Sequence, residues 1–150
     1  GITELISEYN LAMAAWCYSE NWNGFGHFFE EQAKEEHAHA MKFFHYLFER
    51  RGTALVGAIE KPQGQFKSVE ETFELTLEHE QQVTAWIHGL MDLAIKENDH
   101  ASVSFLKWFV DEQVEEEATA DGILQQLKKV NGNINGLFAL DHRLGERGKK

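Results

Sequence analysis

The sequence predicts an all-α chain: a four-helix bundle with one long crossover and a short fifth C-terminal helix. Three observations carry this expectation. Apolar residues recur at helical spacing in four long segments, and no segment alternates as a half-buried strand would. Pro62 is the only proline, and glycine gathers at segment ends and gaps. The gaps between segments are short, save one.

The first helix is expected from about Ile2 to Glu20, where "NWNG" breaks it. The second runs from about Asn23 to Arg51 and is stopped by Gly52. "GTALVGAIEKPQGQFK" holds three glycines and the only proline, and reads as a connection. Ser68 followed by Glu71 forms a capping box, in which each side chain satisfies an orphan N–H of the other's turn. The third helix runs from there to about Glu97. Asp99 caps the fourth, which reaches about Val130 and ends at "NGNING". "LFALDHRLG" is a short amphipathic fifth segment, and "ERGKK" is a charged tail.

Helices of nearly thirty residues span about 40 Å each. The short first and third connections make antiparallel hairpins. The second connection, about fifteen residues, is long enough to travel most of that length and set the second and third helices parallel. The whole chain, residues 1–150, is read as one domain. A chain of this size hides roughly 70% of its unfolded surface, so it needs neither disulfide nor metal to fold.

Charge narrows the function classes. The net charge of −11 disfavours nucleic acid, which needs a basic surface, and favours a potential that gathers cations. Cys17 is the only cysteine, which excludes a disulfide framework and a thiolate metal cage and fits a reducing cytoplasm. No apolar run approaches a membrane span, and no signal peptide is read, although the chain opens at Gly1.

The stripes hold the chemical signal. On the second helix one face reads Phe25, Phe29, Gln32, Glu36, His39, Phe43, Tyr46, Arg50. On the third it reads Phe73, Leu77, Glu80, Thr84, Ile87, Met91, and on the fourth Leu106, Phe109, Gln113, Glu116, Ala120, Ile123, Leu127. A single glutamate on such a stripe usually marks a helix end or a snorkelling side chain, and "DEQVEEE" alone reads as a solvated acidic face. Lone histidines such as His45 and His88 read as half-exposed residues. Three helices bringing polar residues to the same mid-height is a different matter. Buried carboxylates need partners, and no lysine or arginine stands on these faces near mid-height, so a cation is required. Carboxylates with one or two imidazoles and no thiolate suit iron or manganese, with zinc as an alternative. Glu36 and His39, three residues apart, lie about 60° apart around the helix and can reach one ion. Di-iron carboxylate bundles use this Glu-x-x-His element.

At this point the sequence resembles the prokaryotic non-haem ferritins. "QAKEEHAHAMKF" resembles that family's motif on helix B, "EHEQQVT" the one on helix C, and "FLKWFVDEQVEEE" the one on helix D. The resemblance covers essentially the whole chain. It implies a ferritin-like bundle and a ferroxidase that oxidises Fe(II) with dioxygen or hydrogen peroxide. It further implies two to three iron ions per subunit and storage of ferric mineral in a 24-subunit cage. Glu36 would bridge the irons, His39 would ligate the first and Glu80 the second. Gln113 would bind oxygen or water beside them. Glu35, Glu112, Glu115 and Glu116 would form the family's third, outer iron site. Haem is not expected: bacterioferritins repeat Glu-x-x-His on the fourth helix, where Thr119 stands here, and carry a haem-ligand methionine where His37 stands.

The first helix departs from the pattern. The family's helix starts earlier, so this one looks truncated at its start. Counting back without gaps from "AAWC", the family's glutamate falls on Thr3 and its site tyrosine on Asn10. With one residue deleted after Asn10, Glu4 becomes the ligand and the tyrosine is lost. Glu4 lies off the stripe of Ile2, Ile6, Tyr9, Met13 and Trp16. Two other functions remain open: a ferritin-like bundle with an incomplete first iron site, and a different di-iron oxidase.

Overall fold

The computed structural model describes residues 2–52 and 61–148, with side chains from Ile6 onward in the first helix. Among these residues there are five helices and no strand: α1 (Ile2–Ser19), α2 (Asn23–Glu49), α3 (Val69–Lys96), α4 (His100–Val130) and α5 (Ile134–Leu144). Each matches an expected segment to within a few residues; the largest difference is α5, which starts three residues early. Asn133 explains that start, because its side chain accepts from Gly136 N at 3.1 Å and caps the first turn. Asp99 caps α4 as expected: one carboxylate oxygen accepts from Ser102 N at 3.2 Å, the other from the Ser102 hydroxyl at 2.6 Å.

Three helix ends share one device. Asn21, Arg51 and Asn98 sit in the left-handed region at φ 64°, 62° and 54°. The next N–H then reaches five residues back, as Gly52 N does to Leu47 O at 2.7 Å. The stop assigned to Gly52 is therefore made one residue earlier, by Arg51. Gly52 supplies the closing N–H instead of the strained backbone.

The chain forms two compact units, residues 1–69 with 132–150, and residues 70–131. In the first, α1 packs along α2, and α5 packs on α2. Ile6, Met13, Ala14, Trp16 and Cys17 of α1 are buried, as are Phe25, Phe28, Phe29 and Ala33 of α2. The Ser7 hydroxyl crosses to the Ala33 carbonyl at 2.9 Å. The start of α2 is set by α5. Trp22 gives α2 no side-chain cap, and Asp141 Oδ1 accepts from Phe25 N at 2.9 Å in its place. The approach is so close that a Cβ on Gly24 would lie 1.7 Å from the Asp141 carbonyl oxygen. Glycine is required there by contact, not by backbone angle.

In the second unit, α3 and α4 form a hairpin through Glu97–Asp99. Phe73, Val83, Ile87 and Ala94 of α3 are buried, with Leu106, Phe109, Ala120, Ile123, Leu124 and Leu127 of α4. On α4 every residue of the expected stripe is buried; on α2 Phe43 and Tyr46 are half-buried and Arg50 is exposed, and on α3 Leu77, Thr84 and Met91 are half-buried. Among the described residues no helix is long and apolar enough to cross a membrane.

Candidate functional site

Polar residues interrupt each core stripe. Glu36 is 0% exposed and Glu80 1%, while Glu116, at 8%, is also buried, as are His39, Gln32 and Gln113. An aliphatic side chain at any of these positions would contribute about 1.5–3 kcal/mol of burial. Burying a carboxylate instead costs free energy unless something answers its charge. No lysine or arginine is buried among the described residues.

On α2, Gln32 Nε2 donates to Glu36 Oε1 at a long 3.3 Å. Glu36 Oε2 is buried with no hydrogen-bond partner among the described residues. His39 Nδ1 stands 3.6 Å from that oxygen, too far for a hydrogen bond. Two ligand atoms on one ion, with bonds of ~2.1 Å, lie about 3 Å apart. A small rotamer adjustment would bring this oxygen and nitrogen onto one cation. The three-residue spacing on one helix holds both atoms on the same side.

On α3 and α4, Gln113 carries the geometry. Its Nε2 lies 3.2 Å from Glu80 Oε2, 3.1 Å from the Glu80 carbonyl and 3.1 Å from Thr84 Oγ1. The Thr84 hydroxyl in turn reaches the Glu80 carbonyl at 3.0 Å and the Glu117 carboxylate. One hydroxyl proton serves one of these acceptors at a time. The network fixes the Gln113 amide with nitrogen toward Glu80 and orients that carboxylate from the neighbouring helix. Gln113 thus holds a candidate ligand here, a role beyond the oxygen-binding one that the resemblance gives it.

Glu35 is exposed and paired with Arg147 Nη2 at 2.8 Å. Glu112 is half-buried and Glu115 is exposed. The side chains of Thr3 and Glu4 lie outside the described residues. Asn10 is buried and donates Nδ2 to the Ile6 carbonyl at 2.9 Å, within its own helix. His37 is exposed, and so are His45 and His88, which were expected to be half-exposed.

Sequence reasoning assigned no role to Gln32, Thr84 or Glu117, although the first two stand on the stripes. The available signal was spacing: Gln32 precedes Glu36 by one helical turn, and Thr84 follows Glu80 by one.

Comparison with known proteins identifies the family and the fold. Residues 5–130 match the ferritin-like domain family. The bacterial non-heme ferritin of Staphylococcus aureus (strain MRSA252) is 40% identical over 137 residues, covering 91% of this chain and 82% of that protein. The bacterial non-heme ferritin of Staphylococcus saprophyticus is 42% identical over the same length, with the same coverage. Among solved structures, an open pore ferritin from the archaeon Archaeoglobus fulgidus superposes with a TM-score of 0.94 at 38% identity, covering 97% of this chain and 91% of that one. An engineered closed form of the Archaeoglobus fulgidus ferritin matches equally well, with a TM-score of 0.94 and 38% identity over 99% of this chain and 92% of that one. The fold is therefore the ferritin-like helical bundle with a short C-terminal helix, and the chain belongs to the ferritin-like domain family, among the prokaryotic non-haem ferritins.

Proposed function

We propose that this chain is an iron-storage ferritin that oxidises Fe(II) inside its bundle and deposits Fe(III) mineral in an oligomeric cage. One observation carries the reading. Glu36, Glu80 and Glu116 are buried on three helices, and no lysine or arginine is buried with them among the described residues. Bound cations would answer the charge of three carboxylates gathered in this way.

In this reading the two compact units make one ferritin-like domain, which the family match across their boundary supports. Glu36 bridges two ferrous ions taken up as substrate. His39 completes one coordination sphere and Glu80 serves the other ion, held in place by Gln113. Each ion gives one electron to dioxygen; with two protons this yields two Fe(III) and hydrogen peroxide, which can itself serve as oxidant. Glu35, Glu112, Glu115 and Glu116 receive a third ion. The similarity to Archaeoglobus fulgidus ferritin supports self-association, and twenty-four subunits is the number proposed. A cytoplasmic location and the absence of haem belong to the same reading.

A second reading is a ferritin with slow oxidation. Asn10 favours it, because its buried amide is bonded within α1 at the position where the ungapped count puts the family's tyrosine. The test is aerobic Fe(II) oxidation by the purified protein and its Glu80→Ala variant. The expected result is fast oxidation into a mineral-filled particle of large mass, lost in the variant while helicity is kept. Gln113 Nε2 retains the residue-80 carbonyl and Thr84 in that variant, so the hairpin keeps its network. A small particle that oxidises iron no faster than buffer overturns the proposal. A cage that forms but oxidises slowly supports the second reading.

A further inference from the structure

Beyond α5 the chain returns to α2 and is strapped there by one residue. The Arg147 guanidinium lies over the Phe28 ring at 4.6 Å. Its Nη1 donates to the Phe28 carbonyl at 3.2 Å, and its Nη2 sits 2.8 Å from Glu35 Oε1. The Arg147 carbonyl meets the His27 ring nitrogen. Every other described lysine and arginine is exposed; Arg147 alone is half-buried. Its side chain is 22% exposed, against 48% for Glu35.

This placement has a chemical consequence at Glu35. A carboxylate oxygen that accepts a short, charge-assisted bond from arginine offers that lone pair to nothing else. A divalent ion on the other oxygen would stand within a few ångströms of a fixed positive charge. Three anchors hold Arg147 without help from Glu35: the Phe28 ring, the Phe28 carbonyl and His27. The guanidinium therefore stays close when a cation arrives, and the repulsion persists.

We infer that Arg147 is a built-in competitor for the outer iron site: the C-terminal strap occupies Glu35 and weakens cation binding there until it is displaced. The inference rests on the reading of Glu35 as an outer iron ligand. It makes that site the weakest in the protein and ties its occupancy to the docking of the tail. The inner residues, with no arginine among them, carry no such competitor.

Zn(II), which does not change oxidation state, is a suitable probe. Calorimetric titration of the metal-free full chain would compare the parent protein with Arg147→Gln, Glu35→Gln and the double variant. Arg147→Gln is expected to tighten the weakest class of Zn(II) sites by about three- to fivefold at low salt, the scale of a partly exposed ion pair. Glu35→Gln is expected to remove that class, and the double variant to behave as Glu35→Gln does. Arg147→Lys keeps the charge and loses the planar fork, so it should give part of the gain. It carries the test if Arg147→Gln fails to fold. An unchanged weak class in the Arg147 variants, with its loss in Glu35→Gln, overturns the strap and leaves the outer site standing. A weak class that survives in Glu35→Gln overturns both, while the inner site is judged separately by Glu80→Ala.

Discussion

Replacing Glu36 with glutamine should stabilise the metal-free protein and remove its response to metal. Glu36 is fully buried; Oε1 takes one long bond, 3.3 Å from Gln32, and Oε2 has no hydrogen-bond partner among the described residues. A buried polar atom left in this condition costs about 1–3 kcal/mol, and more when charged. Glutamine has nearly the same shape, keeps an oxygen for Gln32 and sets an amide group 3.6 Å from His39 Nδ1. The chelated variant is therefore expected to gain about 2 kcal/mol. At this chain length that corresponds to a Tm about 4–8 °C higher. Metal should reverse the order. A ligand at a hundredfold its Kd stabilises the parent by about 2.7 kcal/mol, and the variant, lacking the bridging carboxylate, should gain little. The assay is thermal unfolding by circular dichroism at equal protein concentration, with chelator and then with Zn(II). If the chelated variant melts below the parent and Zn(II) raises both equally, Glu36 is a structural residue and the argument from buried charge is wrong.

Two further outcomes follow from the first unit. Burial, and secondarily the Asp141 carboxylate, pushes the Cys17 thiol up from its ordinary 9.0 to about 12. The folded state then holds a proton that the unfolded chain releases, so this contribution is intact below about pH 9.0 and is lost as pH rises toward about 12. Denaturant titrations across that range should show falling stability, which Cys17→Ala should flatten; equal slopes in both proteins would refute it. Gly24→Ala places a Cβ 1.7 Å from the backbone oxygen of Asp141, which cannot give way as a side-chain tip can. It should cost about 3 kcal/mol or more and free α5 from α2, seen as faster amide exchange across α5. Unchanged exchange would mean that the two backbones can separate cheaply.

Much of this molecule is legible in its sequence because much of it is local. Helical periodicity, the Asp99 cap and the apolar stripes depend on residues within a turn or two of one another. The buried identity of Glu36, Glu80, Gln113 and Glu116 followed from the same periodicity, since a residue on a core stripe is carried inward by its neighbours. Helix ends were legible in place but not in mechanism. Gly52 looked like the stop, yet Arg51 takes the left-handed conformation, and the closing bond is made by the N–H that follows it.

What only the tertiary structure decided are the contacts between distant residues. Asp141 capping α2 across 116 positions, Gln113 gripping Glu80 from the next helix, and Arg147 claiming Glu35 leave no periodic trace. Each depends on a distance of about 3 Å between side chains on different elements, and sequence spacing fixes distances only within one. The sequence by itself determined that Glu36, Glu80, Gln113 and Glu116 of this ferritin-family chain go inside. Packing decided which of them hold one another, and left Glu36 Oε2 with no hydrogen-bond partner among the described residues.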